Sequence, residues 1–175
     1  LGSAYLARLQ AQATIPGTLL LCDRLWHNAG ITITSNTAQT INSVAWPARD
    51  ANGSTNGFSV LCGVEVSAAT GAGTPTMTIG YTNSYNTNTR TATSIITGVA
   101  SSAIGAFYPI GLQAGDNGIR SIQTFTLSAT WTSGTIHLVA YRVLARLDLG
   151  VTPINAIDAL TGGMPQAYNN TVPFL

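Results

Sequence analysis

Charge is what this sequence most conspicuously lacks. Only 7% of its 175 residues are Asp, Glu, Lys or Arg, against roughly 25% in an average soluble domain. All seven cationic side chains are arginine, and lysine is absent. Because lysine is depleted where protein surfaces become buried against partners, we expect much of this surface to be covered in the working state of the protein.

The missing charge excludes several classes of function. The net charge is +1 and no basic run occurs, which argues against a protein that reads nucleic acid, since such a protein needs a cationic footprint. No apolar run approaches the roughly 20 residues of a membrane-spanning helix. We therefore predict that neither nucleic acid nor a membrane is a partner.

Reactive side chains are few and scattered. The six carboxylates stand apart in the sequence and do not suggest the paired acids of a glycosidase. His27 and His137 lie in separate segments, and no His/Cys spacing matches a metal site. Residues 50–57 carry several oxygen-bearing side chains, but Thr55 and Leu61 stand where a calcium loop needs glycine and glutamate. The sequence thus predicts no catalytic, cofactor-binding or metal-binding residue, and no enzyme.

Two further predictions concern the cysteines and one histidine. Cys22 and Cys62 lie in apolar, strand-like runs, which favours small buried hydrophobic residues. The alternative is a disulfide between them, which requires Cα atoms within about 7 Å. His27 follows Asp23 and Arg24 closely, and we expect a structural polar cluster there at a strand end.

What the sequence does contain is threonine, glycine and alternating apolar residues. Period-two alternation with turns every 8–15 residues is typical of an antiparallel sandwich or barrel. The predicted strands lie in residues 19–26, 39–46, 57–68, 76–81, 89–97, 106–112, 119–130 and 135–149. Strands without intervening helices favour a β-sandwich with eight-stranded jelly-roll topology. The last segment is apolar on both faces, which suits a central strand, although its length leaves a helix as the alternative.

Residues 1–18 and 150–175 are predicted to be arms that flank a β-sandwich domain of residues 19–149. Tyr5, Leu6 and Leu9 recur at helical spacing, so the N-terminal arm is expected to contain a short helix that ends before Pro16. The C-terminal arm is extended and proline-punctuated, and its large apolar side chains need burial, on a neighbouring subunit or on the chain's own sandwich. The predicted partner-binding residues are Ile154, Ile157, Leu160, Met164, Tyr168, Phe174 and Leu175.

Several short runs carry a resemblance to a known group of proteins. They are Asp-Arg-Leu-Trp-His-Asn-Ala-Gly at residues 23–30, Tyr-Thr-Asn-Ser at 81–84, Arg-Thr-Ala at 90–92, Leu-Gln-Ala-Gly-Asp-Asn-Gly-Ile-Arg at 112–120 and the strand at 134–146. With these runs, residues 20–149 resemble virion structural proteins of tailed bacteriophages.

The resemblance implies a capsid cement or decoration protein at the junctions of major capsid subunits. Its partners would be the major capsid protein and further copies of itself, with a trimer preferred. It would reside in the virion after assembly in the host cytoplasm, where structural disulfides are rare, so both cysteines are expected to be free.

Two alternatives remain open. One is a tail, collar or fibre component with a glycan-contacting face formed by Tyr81, Tyr85, Trp46 or Trp131. The other is a secreted carbohydrate-binding module or hydrolase, which would need a signal peptide upstream of Leu1 and acidic residues that cluster in the fold.

Overall fold

A computed structural model of the chain describes residues 7–151 and 154–158. Every regular element in that part of the chain is a β-strand, and the strand pairs are antiparallel. The all-β, antiparallel fold class is therefore confirmed. The strands are β1 (Arg8–Ala11), β2 (Gly17–Asn28), β3 (Gln39–Thr40), β4 (Val60–Ala68), β5 (Met77–Asn83), β6 (Arg90–Ser94), β7 (Phe107–Gly111), β8 (Ile119–Leu127), β9 (Thr135–Leu149) and β10 (Asn155–Asp158).

Alternation of apolar and polar residues explains how the strands build a core. In β5, Met77 and Ile79 are fully buried, and they lie opposite Leu127 and Phe125 of β8. Thr78, between them, is only partly buried. Successive side chains of a strand point to opposite faces, so one face of this strand pair lines the core and the other carries hydroxyl groups.

Eight strands form one sheet in the order β2-β9-β4-β7-β6-β5-β8-β3. The sheet curls, because β4 contacts β8 although three strands separate them in the hydrogen-bonded order. This arrangement is consistent with a β-sandwich. The jelly-roll prediction is not confirmed, since hydrogen bonding links all eight strands into a single sheet rather than two.

The described residues divide into two compact units. The core unit comprises residues 24–142, and the terminal unit comprises the described parts of residues 1–23 and 143–175. The hydrophobic core lies within the core unit. Its two buried indoles are satisfied by backbone carbonyls, since Trp46 Nε1 donates to Ile119 O (2.6 Å) and Trp131 Nε1 donates to Val99 O (3.0 Å).

The terminal unit contains a two-stranded sheet in which β1 pairs with β10, with Leu9 opposite Ile157. The predicted N-terminal helix is therefore wrong for residues 8–11. Leu9 does have an apolar partner, but that partner lies on a strand far away in sequence, and this pairing replaces the local helical contacts.

The strand predicted at residues 39–46 is also shorter than expected. β3 covers only Gln39–Thr40, because Asn42 adopts a left-handed backbone conformation (φ 43°) that interrupts regular pairing. In the part of the chain that is described, no helix is long and apolar enough to cross a membrane.

Candidate functional site

Asp116 is the centre of the most extensive side-chain network of the core unit. Its side chain is only 2% exposed, and Arg90 grips it in a bidentate ion pair, with Nη2–Oδ1 at 2.9 Å and Nε–Oδ2 at 3.0 Å. Asn83 Nδ2 donates to Oδ1 (2.7 Å), and the Tyr81 hydroxyl donates a short hydrogen bond to Oδ2. Loss of hydration would raise the pKa of Asp116, but the hydrogen bonds from these three side chains outweigh that effect and lower the pKa to about 2.

We call this cluster the Asp116 corner (Tyr81, Asn83, Arg90, Gln113 and Asp116). The Tyr81 oxygen also accepts a hydrogen bond from the backbone N–H of Gln113 (3.0 Å), so the corner joins β5, β6 and the loop before β8. The carboxylate stays ionised and already accepts four hydrogen bonds. It therefore holds the strands together. To act as a base, the carboxylate would first have to lose these hydrogen-bond donors.

Three runs that carry the resemblance to phage virion proteins, residues 81–84, 90–92 and 112–120, supply the Asp116 corner. In sequence they are separated by up to thirty-odd residues, and the structure brings them into direct contact. Each run provides one side of the same ion-paired corner.

Asp50 organises the loop that superficially resembles a calcium site. Its carboxylate accepts hydrogen bonds from the backbone N–H groups of Asn52 (2.9 Å), Ser54 (2.7 Å), Gly57 (2.9 Å) and Phe58 (3.0 Å), and from the Ser54 hydroxyl (2.7 Å). Burial would raise the pKa of Asp50, but the donated hydrogen bonds lower it below its ordinary value. The carboxylate therefore stabilises the loop. It does not have the free oxygen atoms that a cation site needs.

The two histidines meet on adjacent strands. The rings of His27 on β2 and His137 on β9 are 5.6 Å apart between centroids. Nearby in sequence, Arg24 forms an ion pair with Glu65 (3.2 Å) on β4, and Glu65 is the cross-strand neighbour of His137. Spacing in the sequence gave no sign of this meeting, because it depends on the pairing of β2 with β9. Among the described residues, no three His, Cys, Asp or Glu side chains lie close enough together to hold a metal ion.

The two cysteines have different surroundings. Cys62 is fully buried in β4, and burial raises the pKa of its thiol. Cys22 is exposed on β2, which contradicts the prediction that both are buried, and both thiols are free.

The aromatic residues suggested for glycan contact are mostly inaccessible. Trp46, Trp131 and Tyr81 are at most 1% exposed and belong to the hydrophobic core. Of the four, only Tyr85 is exposed, and its ring packs edge-on against Phe58.

Five exposed large apolar side chains fall within the short stretch that runs from the end of β6 to the first residue of β7. We call this group the apolar surface, and its exposed fractions range from 40% to 70%. It comprises Ile95, Ile96, Val99, Ile104 and Phe107. The backbone N–H of Ile95 donates to Pro109 O (2.9 Å), which continues the pairing of β6 with β7.

The apolar surface was absent from the sequence-based prediction of partner-binding residues. A signal was present, because residues 91–115 contain no charged side chain at all. The two charges that flank this run, Arg90 and Asp116, pair with each other in the Asp116 corner.

The structure describes two of the seven predicted partner-binding residues. Ile154 is 54% exposed, whereas Ile157 is partly buried in β10 opposite Leu9. The other five lie outside the described residues, namely Leu160, Met164, Tyr168, Phe174 and Leu175.

Comparisons with protein-family models, with curated proteins and with solved structures find no match for this chain.

Proposed function

We propose that this protein is a structural component of a tailed-bacteriophage particle, and specifically a capsid cement or decoration protein that stabilises junctions between major capsid subunits. The observation that carries the proposal is the apolar surface. Large apolar side chains gathered on an otherwise charge-poor protein indicate a surface that functions when covered by other protein.

The energetics suit a protein that reinforces a shell. Burying a large apolar side chain completely contributes about 1.5–3 kcal/mol, and the five side chains of the apolar surface start from roughly half-exposed positions. Each copy would therefore gain about 5 kcal/mol before the cost of association is subtracted. A modest gain of this size, repeated at every junction of a symmetric shell, opposes dissociation of the capsid subunits.

The treatment of charge supports the same role. Arg24 pairs with Glu65, Arg90 with Asp116, and Arg146 with Asp148. These pairs neutralise charge locally and leave little long-range field to attract nucleic acid or a charged substrate. The proposal is thus of a non-enzymatic protein of the virion, assembled in the host cytoplasm, with the major capsid protein and copies of itself, preferably as a trimer, as partners.

A tail, collar or fibre position is the second candidate. Tyr85 is the observation that favours it, because this ring is 59% exposed beside Asn117, whose Nδ2 donates to the Tyr85 hydroxyl (3.3 Å). An exposed tyrosine combines an apolar ring with a polar hydroxyl group, which suits contact with a partner such as a glycan.

Chemical cross-linking of intact particles followed by mass spectrometry distinguishes the candidates. A cement protein is expected to cross-link to the major capsid protein, whereas a tail or fibre protein is expected to cross-link only to tail components. Absence of the protein from purified particles would contradict both.

The C-terminal arm provides a more specific test. We predict that a chain ending at Asp158 keeps β10 and nearly the full-length melting temperature, and binds particles lacking the protein at least about tenfold more weakly. The reason is that residues 159–175 carry five of the seven predicted anchors. A truncated chain that unfolds, or one that binds particles as tightly as the full-length chain, would show that these residues do not serve as the anchor.

A further inference from the structure

One edge of the eight-stranded sheet is long, apolar and open. β2 is the last strand on its side, and no other strand in the described part of the chain lies beyond it. We call residues 17–23 of this strand the β2 edge; their sequence is Gly-Thr-Leu-Leu-Leu-Cys-Asp. Leu19 and Leu20 point to opposite faces of the strand and both are exposed, whereas Leu21 is partly buried and Asp23 is buried.

Soluble proteins usually protect such an edge. They shorten the strand, place lysine or proline in it, or bend it away with a bulge. The opposite edge, β3, follows that rule with two residues and a left-handed Asn42. The β2 edge lacks the first two of these protections: its strand is 12 residues long, residues 17–22 carry no charge, and the nearest proline, Pro16, lies just outside the strand.

We propose that the β2 edge is a self-association surface, at which the β2 strands of two copies pair antiparallel about a two-fold axis and join their sheets. The occupant is a second copy of this chain, because an antiparallel edge is complementary to itself. The residues involved are also uncharged up to Asp23, so two copies meet without repulsion between like charges in the middle of the contact.

The geometry of antiparallel pairing selects the register. In an edge strand, every second residue directs its N–H and C=O groups away from the sheet, towards a possible partner strand. In an antiparallel pair, a residue of this kind must lie opposite another residue of the same kind. In a two-fold pair the axis must therefore pass through a residue and not between two residues. Pro16 donates no hydrogen bond, and Arg24 is ion-paired with Glu65 (3.2 Å). Centring the pair on Leu20 uses the whole of residues 17–23.

This register makes specific contacts. Leu20 faces Leu20 of the second copy, Leu19 faces Leu21, and Thr18 faces Cys22. The apolar side chains that are exposed in one copy thereby become cross-strand neighbours of those of the other copy, on both faces of the joined sheet. The inference does not depend on the proposed particle role, because it concerns copies of the isolated protein. It describes a pairwise contact, so the predicted trimer would need a different surface.

Cysteine cross-linking tests the register. In the variant Thr18→Cys, each new thiol lies opposite Cys22 of the second copy, within the distance that a disulfide spans, so mild oxidation is expected to give a covalent dimer. The wild-type protein is expected to give no covalent dimer. Cys22 of one copy lies opposite residue 18 of the second copy, so the two Cys22 residues are four positions apart along the strand, on the order of 13 Å. Thr18→Cys combined with Cys22→Ser is the matched control and is expected to stay uncross-linked, since Cys62 is buried.

A charge tests the surface itself. Leu20→Lys would place two ammonium groups directly opposite each other, and we expect self-association in sedimentation experiments to weaken at least about tenfold. Val44→Lys adds the same charge at a 68% exposed position outside the β2 edge and is expected to leave association unchanged. A wild-type chain that stays monomeric at every concentration would overturn the proposal, and so would a Thr18→Cys variant without cross-links. Since the cross-linking result stands alone, it decides the matter even if Leu20→Lys fails to fold.

Discussion

The two ends of β6 differ in which kind of side chain is buried and which is exposed. At its first residue, Arg90 enters the Asp116 corner, where a nearly buried carboxylate is held by four hydrogen bonds. Just beyond its last residue, Ile95 begins the apolar surface, where large hydrophobic side chains lie open to solvent. Proteins usually do the reverse, with charges outside and large apolar groups inside. The contrast teaches that, in this part of the chain, the ion pair is used to join strands within the fold, while large apolar groups lie open to solvent.

The largest effect on stability is expected from breaking the corner. We predict that Asp116→Asn lowers the free energy of unfolding by about 3 kcal/mol, because Arg90 loses its charged partner and the ion-paired hydrogen bonds become neutral or are lost. Urea denaturation followed by tryptophan fluorescence measures this change.

Asp148→Asn is the matched control for that substitution. Asp148 also pairs with an arginine, Arg146 (3.0 Å), but both side chains are at least 66% exposed. Exposed ion pairs contribute little to stability, so the control should unfold almost as the wild type does. Equal losses in the two variants would mean that the burial of the corner does not matter.

A smaller effect is expected from acid. The pKa of Asp116 is about 2 in the folded chain and 3.8 as its ordinary value. A depressed pKa gives stability that is fully present above about pH 4 and is lost as the pH falls towards 2, here about 2 kcal/mol. We predict that the wild type loses this amount over that range and that Asp116→Asn does not. Asp50 and Asp148 also have a lowered pKa, but they titrate in both proteins, so the difference between the two unfolding curves isolates Asp116. Parallel curves would contradict the prediction.

Much of the fold could be predicted from alternation alone. All eight predicted strands correspond to β2 through β9. Period-two patterning succeeds where a strand buries one face in the core, as β5 and β8 do. The short strands β1 and β10 were not predicted, because the pairing of Leu9 with Ile157 joins distant parts of the chain. The helical spacing of Tyr5, Leu6 and Leu9 in the N-terminal arm could not be told apart from a strand whose partner was not yet known.

The candidate sites were predicted less completely, for a related reason. The hydrogen bonds of Asp50 are local, since its carboxylate accepts only from residues at most eight positions further along the chain. The Asp116 corner, the His27–His137 contact and the β2 edge all depend on which strands become neighbours. Which strands become neighbours depends on residues that are far apart in the sequence. The composition shows only an unusual scarcity of charge.

The smallest effect on stability is expected from the apolar surface. We predict that replacing Ile96 and Ile104 together by serine changes the free energy of unfolding by less than about 1 kcal/mol, since exposed side chains contribute little to the folded state. The control Ile79→Ser removes a fully buried side chain of the core and is expected to cost several kcal/mol. The double variant should nevertheless bind particles more weakly than the wild type, because the groups it lacks are those that a capsid junction would bury. If the double variant unfolds as readily as Ile79→Ser, the apolar surface belongs to the chain's own core. A double variant that is stable and binds particles like the wild type would instead remove the apolar surface from the contact with the capsid.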